Sequence, residues 1–233
     1  MSIAENLNQV KERIAAAARA CGRDENEILL IGASKMNDAE RVREAIAAGL
    51  PACGENRVQE MRDKNALGAY EGAELHFIGT LQKNKVKYVV GTASLIHSVD
   101  SVELMAAIDK QAKKLGIVQD ILLEINTGAE ESKSGFSPED LAPALAEASK
   151  FSSIRVRGLM TIPPICVDGT ENIPFFQLLK QLFVDNSEKK YDNVYMDFMS
   201  MGMSGDFEAA IASGSNMIRV GTATFGKRAY PLK

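Results

Sequence analysis

Eight short apolar runs, separated by stretches that carry helix punctuation, recur along the whole 233-residue chain and limit its fold more than any other feature. They lie near Ile28–Lys35, Leu50–Asn56, Glu74–Thr80, Ser94–Asp100, Gln119–Asn126, Ile154–Ile162, Val194–Ser200 and Met217–Thr224. Several are continuous rather than alternating and hold β-branched residues, as strands of a parallel sheet covered on both faces must. The intervening stretches read as helices. Asn37 and Glu40 have capping-box spacing ahead of a helix ending at Gly49. Ser101 caps a helix that runs to Leu115 and stops at Gly116, and Ser137-Pro138-Glu139-Asp140 supplies a cap, an N1 proline and first-turn acids. Pro163-Pro164 and Asp168-Gly169 break the chain before Phe175–Phe183 resume a helical pattern. Ahead of the first run, Ile3, Leu7, Val10, Ile14, Ala18 and Cys21 recur at three- and four-residue steps, with Gly22 as a C-cap, and predict an extra N-terminal helix.

Eight β/α units with strand starts roughly 20 to 40 residues apart match one TIM-type (β/α)8 barrel in size and count. A doubly wound open sheet produces the same local alternation. No linker, low-complexity stretch or compositional boundary divides the chain, so residues 1–233 are read as a single domain. Lys and Arg number 27 against 31 acids, a net charge of -4, which argues against a nucleic-acid or anionic-membrane footprint and leaves room for a local basic pocket. No stretch approaches the ~18 apolar residues of a membrane span, and the opening MSIAENLNQVKERI has early acids and no apolar run. Cys21, Cys53 and Cys166 lack metal or redox spacing and are read as buried reduced thiols. A cytoplasmic monomer is the expectation.

In a barrel, chemistry sits at the C-terminal strand ends. The first run closes in Gly32-Ala33-Ser34-Lys35, which places a lysine at the barrel mouth. Partial desolvation there favours the neutral amine that condenses with an aldehyde, although such a lysine can also simply reach solvent. After the seventh run, Ser200-Met201-Gly202-Met203-Ser204-Gly205-Asp206 leads into a short helix. The eighth run ends Arg219-Val220-Gly221-Thr222. A Gly/Ser turn after strand seven with a Gly-Thr after strand eight is the recurrent phosphate site of barrels, with Ser204 and Thr222 hydroxyls and free backbone N–H groups as donors. Arg219 shares a strand face with Gly221 and needs a buried acceptor, either a ring nitrogen or a barrel carboxylate. Glu55, Asn56 and Glu124 also close strands, the acids as a solvated rim or as partners for lysines. His76 and His97 lack metal-ligand spacing and are read as structural.

The motifs GASK at Lys35, GENRVQE at 54–60, HFIGTLQKNK at 76–85 and SKSGF at 132–136 come first along the chain. RGLMTIP at 157–163, SMGMSGDFEAAIASGS at 200–215 and RVGTATFG at 219–226 follow in order. Together they resemble the pyridoxal-phosphate homeostasis proteins of the YggS/PROSC type, over essentially the whole chain. The resemblance implies an alanine-racemase-like barrel of fold type III, with pyridoxal 5'-phosphate (PLP) held as a Schiff base on Lys35. It also implies that Ser204, Gly221 and Thr222 hold the phosphate, that Arg219 faces the pyridine nitrogen, and that Asn56 and Met203 belong to the cofactor-binding set. An arginine there keeps the ring a weak electron sink, which suits a protein that buffers or delivers PLP to apo-enzymes. Met36, Asn37 and Asp38 stand where the family usually has Thr, Lys and Pro; Cys53 and Arg57 replace common aromatics, and Thr80 a common Pro. Roles tied to a second lysine beside Lys35 or to an aromatic at 57 therefore do not transfer.

Two other readings compete. One is a PLP-dependent amino-acid racemase, which in this fold draws its second base from an added β domain that the barrel leaves no residues to build. The other is a cofactor-free barrel enzyme on a phosphorylated sugar or acid, with Lys35 as its Schiff base and Glu55 or Glu124 as acid/base. Lys133, in the loop after strand five, is a candidate second amine for hand-over.

Overall fold

The computed structural model describes residues 1–130, 133–189 and 191–226. Eight parallel strands close into a barrel in sequence order: β1 (Leu29–Ala33), β2 (Ala52–Glu55), β3 (Glu74–Phe77), β4 (Leu95–Val99), β5 (Gln119–Glu124), β6 (Ile154–Met160), β7 (Val194–Ser200) and β8 (Met217–Val220). β8 pairs back onto β1 with Leu29 beside Met217 and Ile31 beside Arg219. The open-sheet alternative is thereby excluded.

Neighbouring residues of one strand go to opposite faces, and this alternation makes two cores. Ile31, Ala52, Leu95, Leu122, Met160 and Met217 fill the barrel interior. Leu30, Cys53, Ile96, Ile121, Leu123 and Ile218, each beside one of those, face outward into the larger core under the helices. Both layers being dry, the strands read as continuous apolar runs.

The helices are α1 (Ile3–Ala20), α2 (Ala39–Ala47), α3 (Val58–Ala66), α4 (Val102–Leu115), α5 (Leu141–Ala148), α6 (Ile173–Ser187), α7 (Phe207–Ala212) and α8 (Thr222–Phe225). The crossover from β3 to β4 carries only a six-residue 3-10 helix, Lys83–Tyr88. α1 packs on α7 and α8, with Arg13 2.7 Å from Glu208 and over the Phe207 ring, so the extra N-terminal helix braces the elements after β7 and β8.

Several local expectations shift. α2 is capped by Asp38, whose carboxylate accepts the Arg41 N–H, and not by Asn37. α5 begins three residues beyond the Ser137 cap position because Ser137 and Asp140 bond each other and close a turn first. β1 ends at Ala33, which leaves Lys35 in the following turn, and β8 ends at Val220, with Thr222 opening α8. Of the three cysteines only Cys53 is buried; Cys21 is exposed just past α1 and Cys166 is half-buried, and all are free thiols. No helix among the described residues is long and apolar enough to cross a membrane.

Gly202, in the turn after β7, has φ +95°, and a Cβ there would lie 2.6 Å from the Ala210 Cβ and 3.0 Å from the Phe207 Cα. Any side chain must push α7 away from the end of β7. Gly202→Ala is expected to lower stability by about 2 kcal/mol, read as a reduced urea midpoint at unchanged slope.

Candidate functional site

Lys35 occupies a turn clamped on both sides. Before it, the Ser34 hydroxyl donates to Glu55 at 2.6 Å, and the Lys64 ammonium donates both to the Ser34 carbonyl (2.8 Å) and to Glu55 (2.7 Å). Tyr70 donates its O–H to the same carboxylate oxygen at 2.9 Å. After it, the Met36 N–H donates to Glu60 at 2.7 Å, with Met36 at φ +61°. A methionine in the left-handed region carries strain that these contacts must hold. The Asn37 side chain closes the turn on the Lys35 carbonyl at 3.2 Å.

Glu55 is fully buried, so it is not a solvated rim acid but the partner of a lysine on α3. Three donors converge on its Oε1, while its Oε2 is buried with no hydrogen-bond partner among the described residues. Its negative charge has a visible effect on its neighbours. Burial first, and Glu55 second, push the Cys53 thiol up to about 12 and the Tyr70 phenol further still, so both stay protonated.

Ala33 pairs with Gly54 and Gly32 with Val220, so Lys35 leaves the barrel between the ends of β2 and β8. At the end of β2, the Asn56 Oδ1 is buried and has no hydrogen-bond partner among the described residues. Beside β8, the Ser204 oxygen accepts the N–H groups of Gly221 (3.2 Å) and Ala223 (3.4 Å). With both acceptor positions used, its hydroxyl proton is left to donate outward. Thr222 stands exposed next to it at the head of α8. The Met203 N–H is already used by Asp206 at 2.6 Å, so Met203 offers the rim its thioether rather than a backbone donor.

Arg219 is buried, with no ion-pair partner among the described residues. One guanidinium nitrogen donates to the Ser200 hydroxyl and the other to the Thr161 carbonyl at 2.8 Å. Burial pulls it down to about 10, opposed by Glu124 and Asp206, so it stays cationic near neutrality. Of the two acceptors open to it, a ring nitrogen or a barrel carboxylate, the carboxylate acts only as a longer-range field, and the direct contacts of Arg219 are neutral. Glu124, at the end of β5, is pushed up to about 7 by burial and by Asp100, against the pull of Arg219.

A line of polar groups runs from Arg219 through the barrel. The Ser200 Oγ is 2.9 Å from the His97 Nδ1, the His97 Nε2 is 3.0 Å from the His76 Nδ1, and the His76 Nε2 is 2.9 Å from Glu74 at the N-terminal end of β3. The guanidinium can only donate, so the proton of Ser200 has His97 as its partner. With both imidazoles neutral, each then carries its proton on Nε2 and passes a donor toward the Glu74 carboxylate. Burial, then His76 and Arg219, hold His97 well below the usual histidine range. The hydrogen bond from His76 lowers Glu74. Composition and spacing do not reveal this line, because it joins β3, β4, β7 and β8 only through closure.

The chain matches the family described as alanine racemase, N-terminal domain, over residues 2–229. It is 44% identical to the pyridoxal phosphate homeostasis protein of Aquifex aeolicus, spanning 99% of this chain and 100% of that one. It is 40% identical to the protein of that description in Escherichia coli K12, spanning 99% of each. The chain belongs to this family. Its members' barrel is seen in PipY of Synechococcus elongatus PCC7942 with PLP bound, at TM-score 0.83 and 32% identity over 97% of this chain and all of that one. Diaminopimelate decarboxylase from M. jannaschii, at 17% identity and TM-score 0.75 over 96% of this chain and 60% of that one, shares the fold alone.

Family membership leaves the local assignments to geometry. Lys35, Asn56, Ser204, Arg219, Gly221 and Thr222 converge on the ends of β1, β2 and β8 and the turn after β7. Lys133 follows β5 and is ion-paired with Glu130, while Ser132 of the same motif lies outside the described residues. Gly221 is not required by packing, since a Cβ there would meet Ala33 at an ordinary 3.5 Å. The reading of Glu55 as a partner for a lysine holds, whereas residue types alone missed Lys64, Tyr70 and Glu60 as the rest of the clamp; the signal present was the i,i+4 spacing of Glu60 and Lys64 on one helix.

Two outcomes follow from this geometry. A carboxyl raised to about 7 against 4.5 favours folding below pH 4.5, and that contribution fades as pH rises through 7. Glu124→Gln should therefore gain stability relative to the native chain between pH 5.5 and 8.5, by on the order of 1–3 kcal/mol, read from urea midpoints at the two values. Nitrogen NMR of histidine-labelled protein should show both rings as Nε2–H tautomers, with His97 staying neutral where an ordinary histidine titrates. Ser200→Ala should release His97 from that single tautomer.

Proposed function

We propose that this chain binds PLP at the barrel mouth, with the Lys35 amine as its covalent anchor, and serves to buffer the cofactor and pass it to apo-enzymes in the cytoplasm. The observation that carries the reading is the convergence of a clamped amine, an outward-donating Ser204 hydroxyl and a buried cation on one opening. An aldehyde bearing a dianionic phosphate needs those three features together. The orphaned Asn56 Oδ1 is a further point of fit, an acceptor left for a ligand donor. The relatives named for PLP homeostasis and the PLP-bound PipY support the same cofactor.

When bound, PLP supplies a reactive aldehyde and a ring that can delocalise charge. The chain's own groups determine how much of that capacity is used. Ser204, with the Gly221 and Ala223 N–H groups behind it, would hold the phosphate, and Thr222 would close its open side. Arg219, cationic and without a proton to spare, would face the ring nitrogen as a donor and keep it unprotonated, which discourages carbanion chemistry. Glu55, on β2, engages Ser34, Lys64 and Tyr70 through its Oε1 and holds the turn that presents Lys35. The clamp fixes where the amine leaves the barrel, and this favours reversible capture over turnover.

Purified protein incubated with PLP should develop a visible absorbance band that borohydride bleaches, with a phosphopyridoxyl mass mapping to Lys35. Lys35→Ala should lose the label while its far-UV spectrum is unchanged. A native protein that remains colourless and unlabelled would overturn the reading.

A further inference from the structure

One flank of the barrel carries a charge opposite to that of the chain. Three depressions lie side by side across α3, the Lys83–Tyr88 helix and α4. The first, about 300 Å³, starts at the mouth with Asn56 and Thr80 and takes in Arg57, Arg62, Lys85 and Tyr88. The second shares Arg62 and Tyr88 with it and adds Lys87. The third, about 520 Å³, shares Lys87 and adds Lys83, Lys110 and Lys114. Shared walls make the three one continuous strip leading away from the mouth.

The strip is lined by seven cations and no carboxylate. The remaining chain then has 20 cations against 31 acids, so the strip is a local reversal on an acidic protein. All seven are exposed. Among the described residues only Arg57 has an ion-pair partner, Glu60 at 3.7 Å. Arg62 and Lys87 instead sit over the Tyr88 ring, 4.4 and 4.9 Å from its centre. Unpaired cations of one sign repel one another, and a sequence that places seven along one strip bears that repulsion unless an anion relieves it.

From these observations we propose that the strip docks an acidic protein surface, namely that of the enzyme receiving the cofactor, and holds it against the mouth. This rests on the delivery reading above. Five of the seven cations are lysines, strongly hydrated point charges of the kind that steer encounter and release quickly rather than lock a partner in place. A nucleic acid fits less well: the strip has a single aromatic ring, already engaged by Arg62 and Lys87, and the rest of the chain carries an excess of acids. A partner seated along α3 has its near edge at Asn56 and Thr80, beside the opening that Lys35 and Ser204 line. Capture and hand-over then need no diffusion of free aldehyde.

The test uses the full-length, PLP-loaded protein and a variant carrying Arg62→Glu, Lys85→Glu and Lys87→Glu, none of which belongs to the cofactor site. Labelled poly-L-glutamate serves as the probe of an acidic protein surface, and a short DNA duplex of equal charge as the rival polyanion. Binding is followed by fluorescence anisotropy. Poly-L-glutamate should bind the native protein at low salt, weaken steeply as salt rises, and bind the variant about tenfold or more weakly, with the PLP absorbance band unchanged. In parallel, transfer to an apo-aminotransferase in the presence of a scavenger of free PLP should slow to a similar degree in the variant and on adding poly-L-glutamate. Should the reversed variant fold poorly, the same positions changed to Gln carry the comparison. Equal binding of poly-L-glutamate to native and variant protein overturns the proposal, and so does tighter binding of the duplex. A scavenger that abolishes transfer from the native protein overturns delivery, and the poly-L-glutamate comparison then decides the surface alone.

Discussion

The buried contact between Lys64 and Glu55 holds the candidate site in place. Neither charge is cheap to remove from water, and such a pair is tolerated only when further hydrogen bonds complete it. Here Ser34 and Tyr70 join Lys64 on one carboxylate oxygen, and the Ser34 carbonyl takes a second proton of the ammonium. The cluster ties α3 to the ends of β1 and β2, so that the turn between Ser34 and Asn37 has a single arrangement despite a methionine in the left-handed region. Breaking the pair from either side leaves a buried charge alone, and the turn that presents Lys35 loses its support.

The interior of the barrel shows a second use of buried polarity. Most of it is filled by aliphatic side chains, as a barrel of eight strands requires. Through that filling runs the line from Arg219 to Glu74, in which a cation at one end and a carboxylate at the other determine the direction of every proton between them. The guanidinium therefore has a remote counter-charge reached through neutral groups. Glu124 and Asp206 support its charge through space against the pull of burial, while its direct contacts, Ser200 and Thr161, are neutral.

Electrostatics also separates the inside of the mouth from its flank. Within, Ser204 and Arg219 are few, fixed and partly or fully buried. Outside, the cations of α3, α4 and the 3-10 helix are many and exposed. The first arrangement suits a small ligand held in one pose, and the second a surface met transiently. Replacing a full helix between β3 and β4 by six residues of 3-10 helix brings Lys85, Lys87 and Tyr88 against Arg62, which makes the strip continuous.

The eight strand-forming runs, the helices between most of them and the chemistry expected at the strand ends were readable from the chain alone. Apolar runs, caps and glycines are local signals, and strands buried on both faces write themselves as unbroken apolar stretches. Lys35, the turn at Ser204 and the Arg219-Val220-Gly221 run were legible for the same reason, each being a short motif at a strand end. Boundaries were less so: β1 and β8 stop two to four residues early because the turn at Lys35 and the α8 helix take over the backbone hydrogen bonds. Only the tertiary structure decided between barrel and open sheet, since closure is the pairing of residue 31 with residue 219 and leaves no mark on either strand alone. Packing of neighbouring units likewise decided that Glu55 is buried against Lys64, that two unremarkable histidines share a hydrogen bond, and that scattered lysines form one strip. Each of these depends on distances between segments far apart in the chain, and long-range distance is the quantity that composition and periodicity do not contain.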